Sequence, residues 1–255
     1  MDPKSNIAPL PHASRDCTTA LLLVGGLGTR LKSVLPSTPK PLAPLGDMTF
    51  LHLPVLQLRS QGIRHIVMCS GHLADQIESE FKDGKKWDVA IEHSKELVPL
   101  GTAGAVKFAD RFLKQDSDFL VMNGDSFLQL DVQEFIRFHY GHGGLVSMAV
   151  RKVPDAARFG TVLLNEKNQV VGFREKTGSH DSGIVNGGVY VFNGAVLKNI
   201  PEGPSSLETE IFPKLLSQGV FALEQHGMFI DIGTPEDYAR AQELCHSLRQ
   251  AAFPQ

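Results

Sequence analysis

One segment near the start of the chain constrains the fold more than any other, because an apolar run there ends abruptly in a glycine-rich loop. The run is 20–24, and the loop that follows reads Gly25-Gly26-Leu27-Gly28-Thr29-Arg30. A short apolar run that stops at glycines is typical of a buried strand in an α/β sheet. Glycines let backbone N–H groups approach an anion, and Arg30 together with Lys40 supplies the positive charge that a polyphosphate needs. The segment predicts a nucleoside triphosphate site.

Two commoner phosphate-binding loops are excluded by spacing. The dinucleotide-binding fingerprint requires a small residue where this chain has Leu31, and the P-loop requires a Gly-Lys-Ser/Thr tripeptide that the sequence lacks. A plain strand-to-helix turn could carry the same glycines. It would not require Thr29-Arg30 and then Pro39-Lys40-Pro41 at this distance. We therefore interpret the segment as a phosphate loop of another kind.

The composition limits the class of protein. The chain has 255 residues, 42% of them hydrophobic, and a net charge of −3 with acidic and basic residues interspersed. This suits one α/β domain and gives no basic patch for nucleic acid or for an anionic membrane. Three cysteines without a C-x-x-C pair, and no apolar stretch of membrane-spanning length, predict a cytoplasmic protein with reduced thiols. We expect residues 1–16 to form a flexible N-terminal extension and residues 17–250 to form a single domain.

Apolar runs alternate with helical patterns over the first 150 residues, which predicts βαβ units and a mostly parallel sheet. Later strands follow one another without long helices, so part of the sheet is expected to be antiparallel or mixed. Two helices are predicted near the end, from a capping box at Ser205 to about Ser217 and from a cap at Thr234 to Arg249. The other predicted helices are 51–61, 74–81, 103–112 and 132–140, and the predicted strands are 20–24, 65–70, 89–93, 119–122, 145–150, 161–164, 170–173 and 188–192.

Two aspartates are predicted at strand ends. Asp125 follows the apolar run 119–122 through Asn123-Gly124, and Asp231 ends the run 228–230. In an open α/β sheet, ligands gather at the carboxyl ends of strands, where the phosphate loop also lies. Mg²⁺ typically takes one or two carboxylates together with substrate phosphates, so the pair is a candidate Mg²⁺ site. Each aspartate by itself would equally suit a turn or a helix entry.

Several motifs in chain order resemble those of the sugar-1-phosphate nucleotidyltransferases, the enzymes that make NDP-sugars. The motifs are GGLGTRL with PKPLAPL, then LGTAGAV, NGDSF, FREK, VNGGVY and FIDIGTPEDYARAQ, and the resemblance runs from about Thr18 to about Leu248. Within that family the chain looks most like the D-glycero-D-manno-heptose 1-phosphate guanylyltransferases. The resemblance implies a Rossmann-like three-layer α/β fold of the GT-A type with a central mixed, mostly parallel sheet. Some relatives carry a C-terminal left-handed β-helix, which is not expected here.

The resemblance also implies roles for individual residues, with a nucleotide-binding part at about 18–130 and a sugar-phosphate-binding part at about 131–234. The expected metal ligands are Asp125 and Asp231, holding Mg²⁺. The catalytic set is Arg30, Lys40, Asp125, Lys176 and Asp231. The nucleotide-binding set is Gly25, Gly26, Gly28, Thr29, Arg30, Gly101, Thr102, Ala103, Asn123 and Gly124. The sugar-phosphate-binding set is Gly160, Glu175, Lys176, Asn186 and Gly187.

The predicted reaction joins a sugar 1-phosphate and an NTP to give an NDP-sugar and pyrophosphate. D-glycero-D-manno-heptose 1-phosphate and GTP are the favoured substrates, for capsule, lipopolysaccharide or other glycan precursors. A phosphate monoester is already a competent nucleophile near neutral pH, so the enzyme must mainly align two polyanions and offset their repulsion. No nucleic acid or membrane partner is expected, and a homo-oligomer is left open.

Three other interpretations are weighed. One is a different specificity in the same class, such as mannose 1-phosphate guanylyltransferase or another hexose 1-phosphate nucleotidyltransferase. Another is a non-catalytic nucleotide-sugar sensor, which would be expected to lack Arg30, Lys40 or an aspartate. The third is a guanylyltransferase acting on a phosphorylated pterin, which would not need the sugar-side segments. His139 and His142 lie three apart near a predicted helix end and are assigned no catalytic role.

Overall fold

The computed structural model describes residues 17–26, 28–176, 178 and 180–253. The predicted flexible extension, 1–16, and Leu27 of the glycine loop lie outside the described residues. Within those residues the strands are β1 Thr19–Leu23, β2 Pro44–Leu45, β3 Met48–Thr49, β4 His65–Ser70, β5 Ala90–Lys95, β6 Phe119–Asn123, β7 Ser126–Leu128, β8 Val146–Val153, β9 Thr161–Leu164, β10 Val170–Arg174, β11 Gly183–Phe192, β12 Val220–Glu224 and β13 Phe229–Asp231. The α-helices are α1 His52–Ser60, α2 Ala74–Phe81, α3 Gly101–Phe108, α4 Val132–His142, α5 Phe212–Leu215, α6 Pro235–Glu243 and α7 Cys245–Ala252.

The main sheet is mixed and mostly parallel, as predicted. Its strands lie in the order β12-β8-β11-β6-β1-β4-β5, and β9 with β10 continues beside the first half of β11. The strands from β6 to β5 pair in parallel, while β11 runs antiparallel to both of its main neighbours. The parallel strands β1, β4 and β6 therefore bring their carboxyl ends to one edge, which is where an open α/β sheet binds ligands.

Helices cover both faces of this sheet. Successive side chains of a buried strand point to opposite faces, so neighbouring residues of β1 pack against different helices. Leu22 of β1 packs in one apolar cluster with α1, α2 and α4, whereas Leu21 packs in another with α3 and α5. Both leucines are fully buried. This two-sided burial explains why β1 reads as a continuous apolar run and gives the three-layer architecture.

A smaller unit lies beside the carboxyl edge and carries one of the two candidate metal ligands. β7 pairs antiparallel with β13, and the register sets Ser126 opposite Asp231. A third apolar cluster, which includes Phe127, Ile230 and Leu248, fastens this pair to α6 and α7. The arrangement brings Asp231 next to the turn that follows β6, although 105 residues separate Asp231 from Ser126 along the chain.

Three local predictions differ from the structure. The last predicted helix is in fact two helices, α6 and α7, which meet at Leu244. The sequence does not reveal this break, because the buried residues Ala241 and Leu248 keep a helical spacing across it. Ser206, rather than Ser205, caps the preceding helical segment, which starts as a π turn at Leu207–Ile211. Strand β12 was not predicted, because it is a short run at the edge of the sheet.

The two histidines at the end of α4 lie in a largely buried hydrogen-bonded group remote in sequence from the phosphate loop. His142 Nδ1 accepts from the Gly144 N–H at 2.9 Å, His142 Nε2 lies 2.7 Å from Ser147 Oγ, and His139 Nδ1 lies 2.9 Å from the same oxygen. Ser147 is fully buried, so it cannot act as a nucleophile toward a substrate. Burial lowers the pKa of His142 to about 4.

This lowered pKa predicts a specific loss of stability in acid. The unfolded chain takes up a proton near the ordinary histidine value of about 6.5, and the folded chain does so only near 4. The free energy of unfolding is therefore highest above pH 6.5 and falls by about 2–3 kcal/mol between pH 6.5 and 4 through this one group. Denaturant unfolding across that range should show a flatter pH profile for His142→Gln. His226→Gln is the control, because His226 is exposed. If the free energy of unfolding of His142→Gln falls with pH as steeply as that of wild type, the lowered pKa of His142 is contradicted.

Candidate functional site

The glycine loop and the Lys40 segment form one side of a cavity of about 370 Å³ at the carboxyl edge of the sheet. After β1, the chain passes Gly25 and Gly26 and enters a 3-10 turn at Thr29–Leu31. Gly28 adopts a left-handed conformation with φ +56, and a Cβ at this position would lie 3.1 Å from Lys40 Cβ. A glycine is required here both by the backbone angle and by the close approach of Lys40.

The cavity wall combines the loop with residues from five other segments. Most of the predicted nucleotide-binding residues contribute, whereas Ala103 and Gly124 are buried behind it. A Cβ on Gly124 would lie 2.5 Å from Val24 Cγ1, so this glycine lets the turn after β6 pack on the end of β1. The predicted residues that line the cavity are Gly25, Gly26, Gly28, Thr29, Arg30, Lys40, Gly101, Thr102, Asn123 and Asp125.

A lysine and two aspartates meet beside this cavity, and Lys40 and Asp125 line its wall. Lys40 Nζ lies 2.8 Å from Asp125 Oδ2 and 4.0 Å from Asp231 Oδ1. The neighbouring residue Gly233 has no room for a side chain, because a Cβ there would lie 2.5 Å from Asp231 Oδ1. The Gly233 N–H donates a hydrogen bond to that same oxygen at 2.6 Å. The predicted convergence of Asp125 and Asp231 on the phosphate loop is therefore present in the fold.

The Lys40 charge offsets part of the repulsion between the two carboxylates of this cluster. Burial raises the pKa of the Asp231 carboxyl, the nearby Lys40 charge lowers it, and the Asp125 charge raises it again. Two carboxylates around one position repel each other unless a cation lies between them. The Lys40 ammonium supplies such a cation, and its contacts define a point that both carboxylates reach.

The donor set fits a hard divalent cation. Carboxylate oxygens are the ligands that Mg²⁺ prefers, and Mg²⁺ usually completes its shell with water and substrate phosphates. Among the residues that the structure describes, no group of three or more His, Cys, Asp or Glu side chains is arranged to hold a metal ion. A metal at Asp125 and Asp231 would therefore depend on phosphate oxygens for its remaining ligands.

The cavity wall also contains an acidic residue, Glu96, that sequence analysis missed. Glu96 follows β5 and lines the cavity together with Cys69 and Pro99. Its Oε2 accepts from the Leu100 N–H at 3.3 Å, and burial raises the pKa of its carboxyl while that hydrogen bond lowers it. The only sequence signal was an acid shortly before the LGTAGAV motif, and a lone glutamate after a strand is usually surface.

The LGTAGAV segment is shaped mainly by packing. Gly101 has φ +70 and a Cβ there would lie 2.5 Å from the Ser205 carbonyl oxygen, while a Cβ on Gly104 would collide with the Gly203 carbonyl. The Thr102 hydroxyl donates to Glu208 at 2.7 Å and accepts from the Leu207 N–H at 2.8 Å. Close helix packing through Gly104 is thus present, and the exposed backbone of the segment still lines the cavity.

The predicted sugar-side residues lie in three places, and the fold brings one of these places next to the turn that carries Asp125. β11 bulges between Asn186 and Val189, and a Cβ on Gly188 would lie 2.9 Å from Asn123 Nδ2 and 2.8 Å from Ser126 Oγ. The Asn186 side chain donates to the Tyr190 hydroxyl at 2.6 Å, and Gly187 is packed against Leu128. Gly160 is exposed before β9, and Glu175 and Lys176 are exposed after β10, outside the cavity wall.

Comparisons with known proteins find relatives that are sugar-1-phosphate guanylyltransferases by name. The chain is 35% identical over 231 residues to D-glycero-alpha-D-manno-heptose 1-phosphate guanylyltransferase of Aneurinibacillus thermoaerophilus, covering 89% of this chain and 98% of that protein. It is 36% identical over 241 residues to the mannose-1-phosphate guanylyltransferase catalytic subunit beta of Drosophila melanogaster. That match covers 93% of this chain but 65% of the subunit, so the chain spans less than two thirds of that relative.

A solved structure shares the fold over almost its whole length. The crystal structure of HddC from Yersinia pseudotuberculosis complexed with GMP-PN matches with a TM-score of 0.80 at 31% identity, covering 89% of this chain and 98% of HddC. Residues 19–247 match the family described as nucleotidyl transferase, and this range contains the glycine loop and both aspartates. The chain therefore belongs to the nucleotidyl transferase family.

Proposed function

We propose that this protein is a sugar-1-phosphate guanylyltransferase, which joins GTP and a sugar 1-phosphate to give a GDP-sugar and pyrophosphate. One observation carries the proposal: Lys40 and Asp125 line the same cavity as the glycine loop, and Asp231 lies 4.0 Å from Lys40 Nζ. A nucleoside triphosphate needs this combination of backbone N–H groups, fixed cations and metal-binding carboxylates. The proposed division places nucleotide binding at about 18–130 and sugar-phosphate binding at about 131–234.

Guanine is the proposed base because of Glu96. The edge of guanine presents two adjacent N–H donors, at N1 and N2, and an ionised carboxylate is the one side-chain group that can accept from both without presenting a donor of its own. The same edge of adenine presents an acceptor beside a donor, which a carboxylate cannot match. Glu96 lines the same cavity as Asp125. It lies beside the start of the glycine loop, because a Cβ on Gly25 would lie 3.0 Å from Glu96 Oε1.

Each charged residue has a role in the proposed reaction. Arg30 and the loop N–H groups bind the β- and γ-phosphates and the leaving pyrophosphate, and Lys40 neutralises charge near the α-phosphate. Lys176 and Glu175 bind the sugar 1-phosphate beside Gly160, Asn186 and Gly187. Asp125 and Asp231 hold Mg²⁺, which when bound supplies Lewis-acid stabilisation of phosphate charge. No side chain is needed as a general base, because the attacking phosphate is already an anion.

D-glycero-D-manno-heptose 1-phosphate is the proposed sugar substrate, with mannose 1-phosphate as the second candidate. The match with this chain covers 98% of the length of the heptose 1-phosphate guanylyltransferase relative, but 65% of the length of the mannose-1-phosphate guanylyltransferase subunit. The product would serve glycan precursor synthesis. A cytosolic location is part of the proposal and is supported by three cysteines that lie far apart in the sequence without a C-x-x-C pair. No helix among the residues that the structure describes is long and apolar enough to cross a membrane.

Comparing kcat/KM for the two sugar phosphates tests the sugar assignment. With GTP and Mg²⁺ held at saturation, the heptose phosphate is expected to give the higher value. A higher value for mannose 1-phosphate would keep the reaction and replace the sugar. Binding of GTP by calorimetry without turnover on either sugar, or on other hexose 1-phosphates, would favour a nucleotide-sugar sensor.

A further inference from the structure

The segment 154–160, between β8 and β9, joins the two halves of the proposed site. Its last residue is Gly160, assigned above to the sugar side, and Arg158 and Phe159 stand just before it. One flank of the segment contacts the β13–α6 unit that carries Asp231. The other flank contacts the chain that leads into β11, which carries Asn186. The partners on α6 and β13 belong to the FIDIGTPEDYARAQ motif, whereas the segment itself and its contacts before β11 lie outside the motifs quoted above.

The contacts with α6 are specific and well formed. Arg158 Nη1 and Nη2 each donate to the Asp237 carboxylate at 2.7 Å, and Nη1 also lies 3.3 Å from Thr234 Oγ1. This is a bidentate pair, the strongest common geometry for arginine and a carboxylate. The Asp237 side chain is only 16% exposed, so water screens the pair less than it screens an ordinary surface ion pair. The Phe159 ring packs on Phe229 of β13 with centroids 6.0 Å apart.

The contacts with the chain before β11 lie on the opposite flank. Asp155 Oδ2 lies 2.7 Å from His180 Nδ1, and the Ala156 N–H donates to the Asp181 carbonyl at 2.9 Å. A Cβ on Gly183, the first residue of β11, would lie 2.9 Å from Ala156 Cβ. The segment is therefore held between the strand that ends at Asp231 and the strand that contains Asn186.

We propose that the Arg158–Asp237 pair is a latch that fixes the sugar 1-phosphate site at the correct distance from the Asp231 carboxylate. The inference rests on the proposed function. In-line attack requires the sugar phosphate and the α-phosphate to be aligned closely, and misplacement by about 1 Å can cost about a hundredfold in rate. Arg158 is a positioning residue in this account, since both of its terminal nitrogens are already bound to Asp237 rather than directed at a substrate.

Steady-state kinetics of paired variants test the latch. Arg158→Lys and Asp237→Asn should each raise KM for the sugar 1-phosphate about tenfold while KM for GTP changes less than about twofold. The double variant should resemble each single variant, because both remove the same contact. Exchanging the charges in Arg158→Asp/Asp237→Arg should recover part of the lost sugar affinity. The control is Arg249→Lys with Asp47→Asn, which should leave both KM values unchanged. In this arginine–aspartate pair on α7, the single nitrogen Arg249 Nη1 donates to both Asp47 oxygens at 3.0 Å.

Several results would overturn the latch. If Arg158→Lys raises KM for the sugar phosphate and Asp237→Asn does not, Arg158 binds the substrate directly. If neither variant moves KM for the sugar phosphate, or both move KM for GTP equally, the pair has no positioning role. Hydrogen–deuterium exchange supplies a readout that does not depend on turnover. The latch predicts faster exchange at 154–160 and 180–183 in Asp237→Asn than in wild type, and unchanged exchange refutes it. Wild-type protein that turns over no sugar phosphate, with exchange as expected, would refute the proposed function alone.

Discussion

Replacing Asp125 by asparagine is expected to lower kcat for NDP-sugar formation by at least about a hundredfold, because one charged contact in a phosphoryl-transfer transition state typically contributes that much. The substitution keeps the side-chain shape but removes the negative charge that faces Lys40 Nζ at 2.8 Å. It also leaves Asp231 as the sole carboxylate of the pair. Pyrophosphate release at saturating substrates measures the effect, and thermal unfolding checks that the fold is retained.

Asp116→Asn is the matched control for this experiment. Asp116 is exposed and adopts φ 55, a conformation that asparagine tolerates as well as aspartate does. The control removes the same charge from a residue that does not line the cavity, so its kcat should equal that of wild type. Near-normal turnover by Asp125→Asn in the presence of Mg²⁺ would show that the metal assignment is wrong.

Replacing Glu96 by glutamine is expected to reduce kcat/KM for GTP by about a hundredfold or more. The glutamine amide would present a donor to one of the two N–H groups of guanine, so two charge-assisted hydrogen bonds are weakened together, each typically contributing about 1.5–3 kcal/mol. One oxygen remains to accept from the Leu100 N–H, so the loop after β5 should keep its conformation. Initial rates with GTP and with ATP measure the change, and the preference for GTP should shrink.

Glu243→Gln is the corresponding control. Glu243 is an exposed residue of α6 and does not line the cavity, so the same chemical change there should alter neither nucleotide preference nor kcat/KM. An unchanged preference for GTP in Glu96→Gln would mean that the base is recognised elsewhere in the cavity.

The sequence predicts most of this fold because its strongest signals are local. The apolar run of β1 and the glycines after it specify a buried strand and a turn by themselves, and Gly28 indeed has a left-handed backbone next to Lys40. The cap at Thr234 is confirmed, since its hydroxyl accepts from the Asp237 N–H at 3.2 Å. Strand β12 escaped prediction because five residues at a sheet edge carry little periodicity, and its place beside β8 is set by tertiary pairing.

The residues of the candidate site also differ in whether local sequence signals reveal them. Asp125 and Asp231 could be paired from the sequence, because each stands at a predicted strand end. The sequence did not show that β13 pairs with β7 in a separate two-stranded sheet rather than joining the main sheet. Glu96 and Arg158 could not, since a single charged residue in a loop has no pattern that separates it from solvated surface. Their roles depend on what the chain folds against them: the cavity wall for Glu96, and the Asp237 carboxylate for Arg158. The role of Lys176, exposed after β10, stays a prediction.

Transfer of a labelled phosphate tests the central claim most directly. The protein would be mixed with GTP, Mg²⁺ and D-glycero-D-manno-heptose 1-phosphate or mannose 1-phosphate carrying ³²P, and the label and the released pyrophosphate would be followed together. The account predicts that the label enters a GDP-sugar, where phosphatase cannot remove it, in equal amount to the pyrophosphate, and that chelation of the metal stops both. Pyrophosphate released without transfer of label, or label that stays in the sugar 1-phosphate with every NTP and sugar tested, would contradict it.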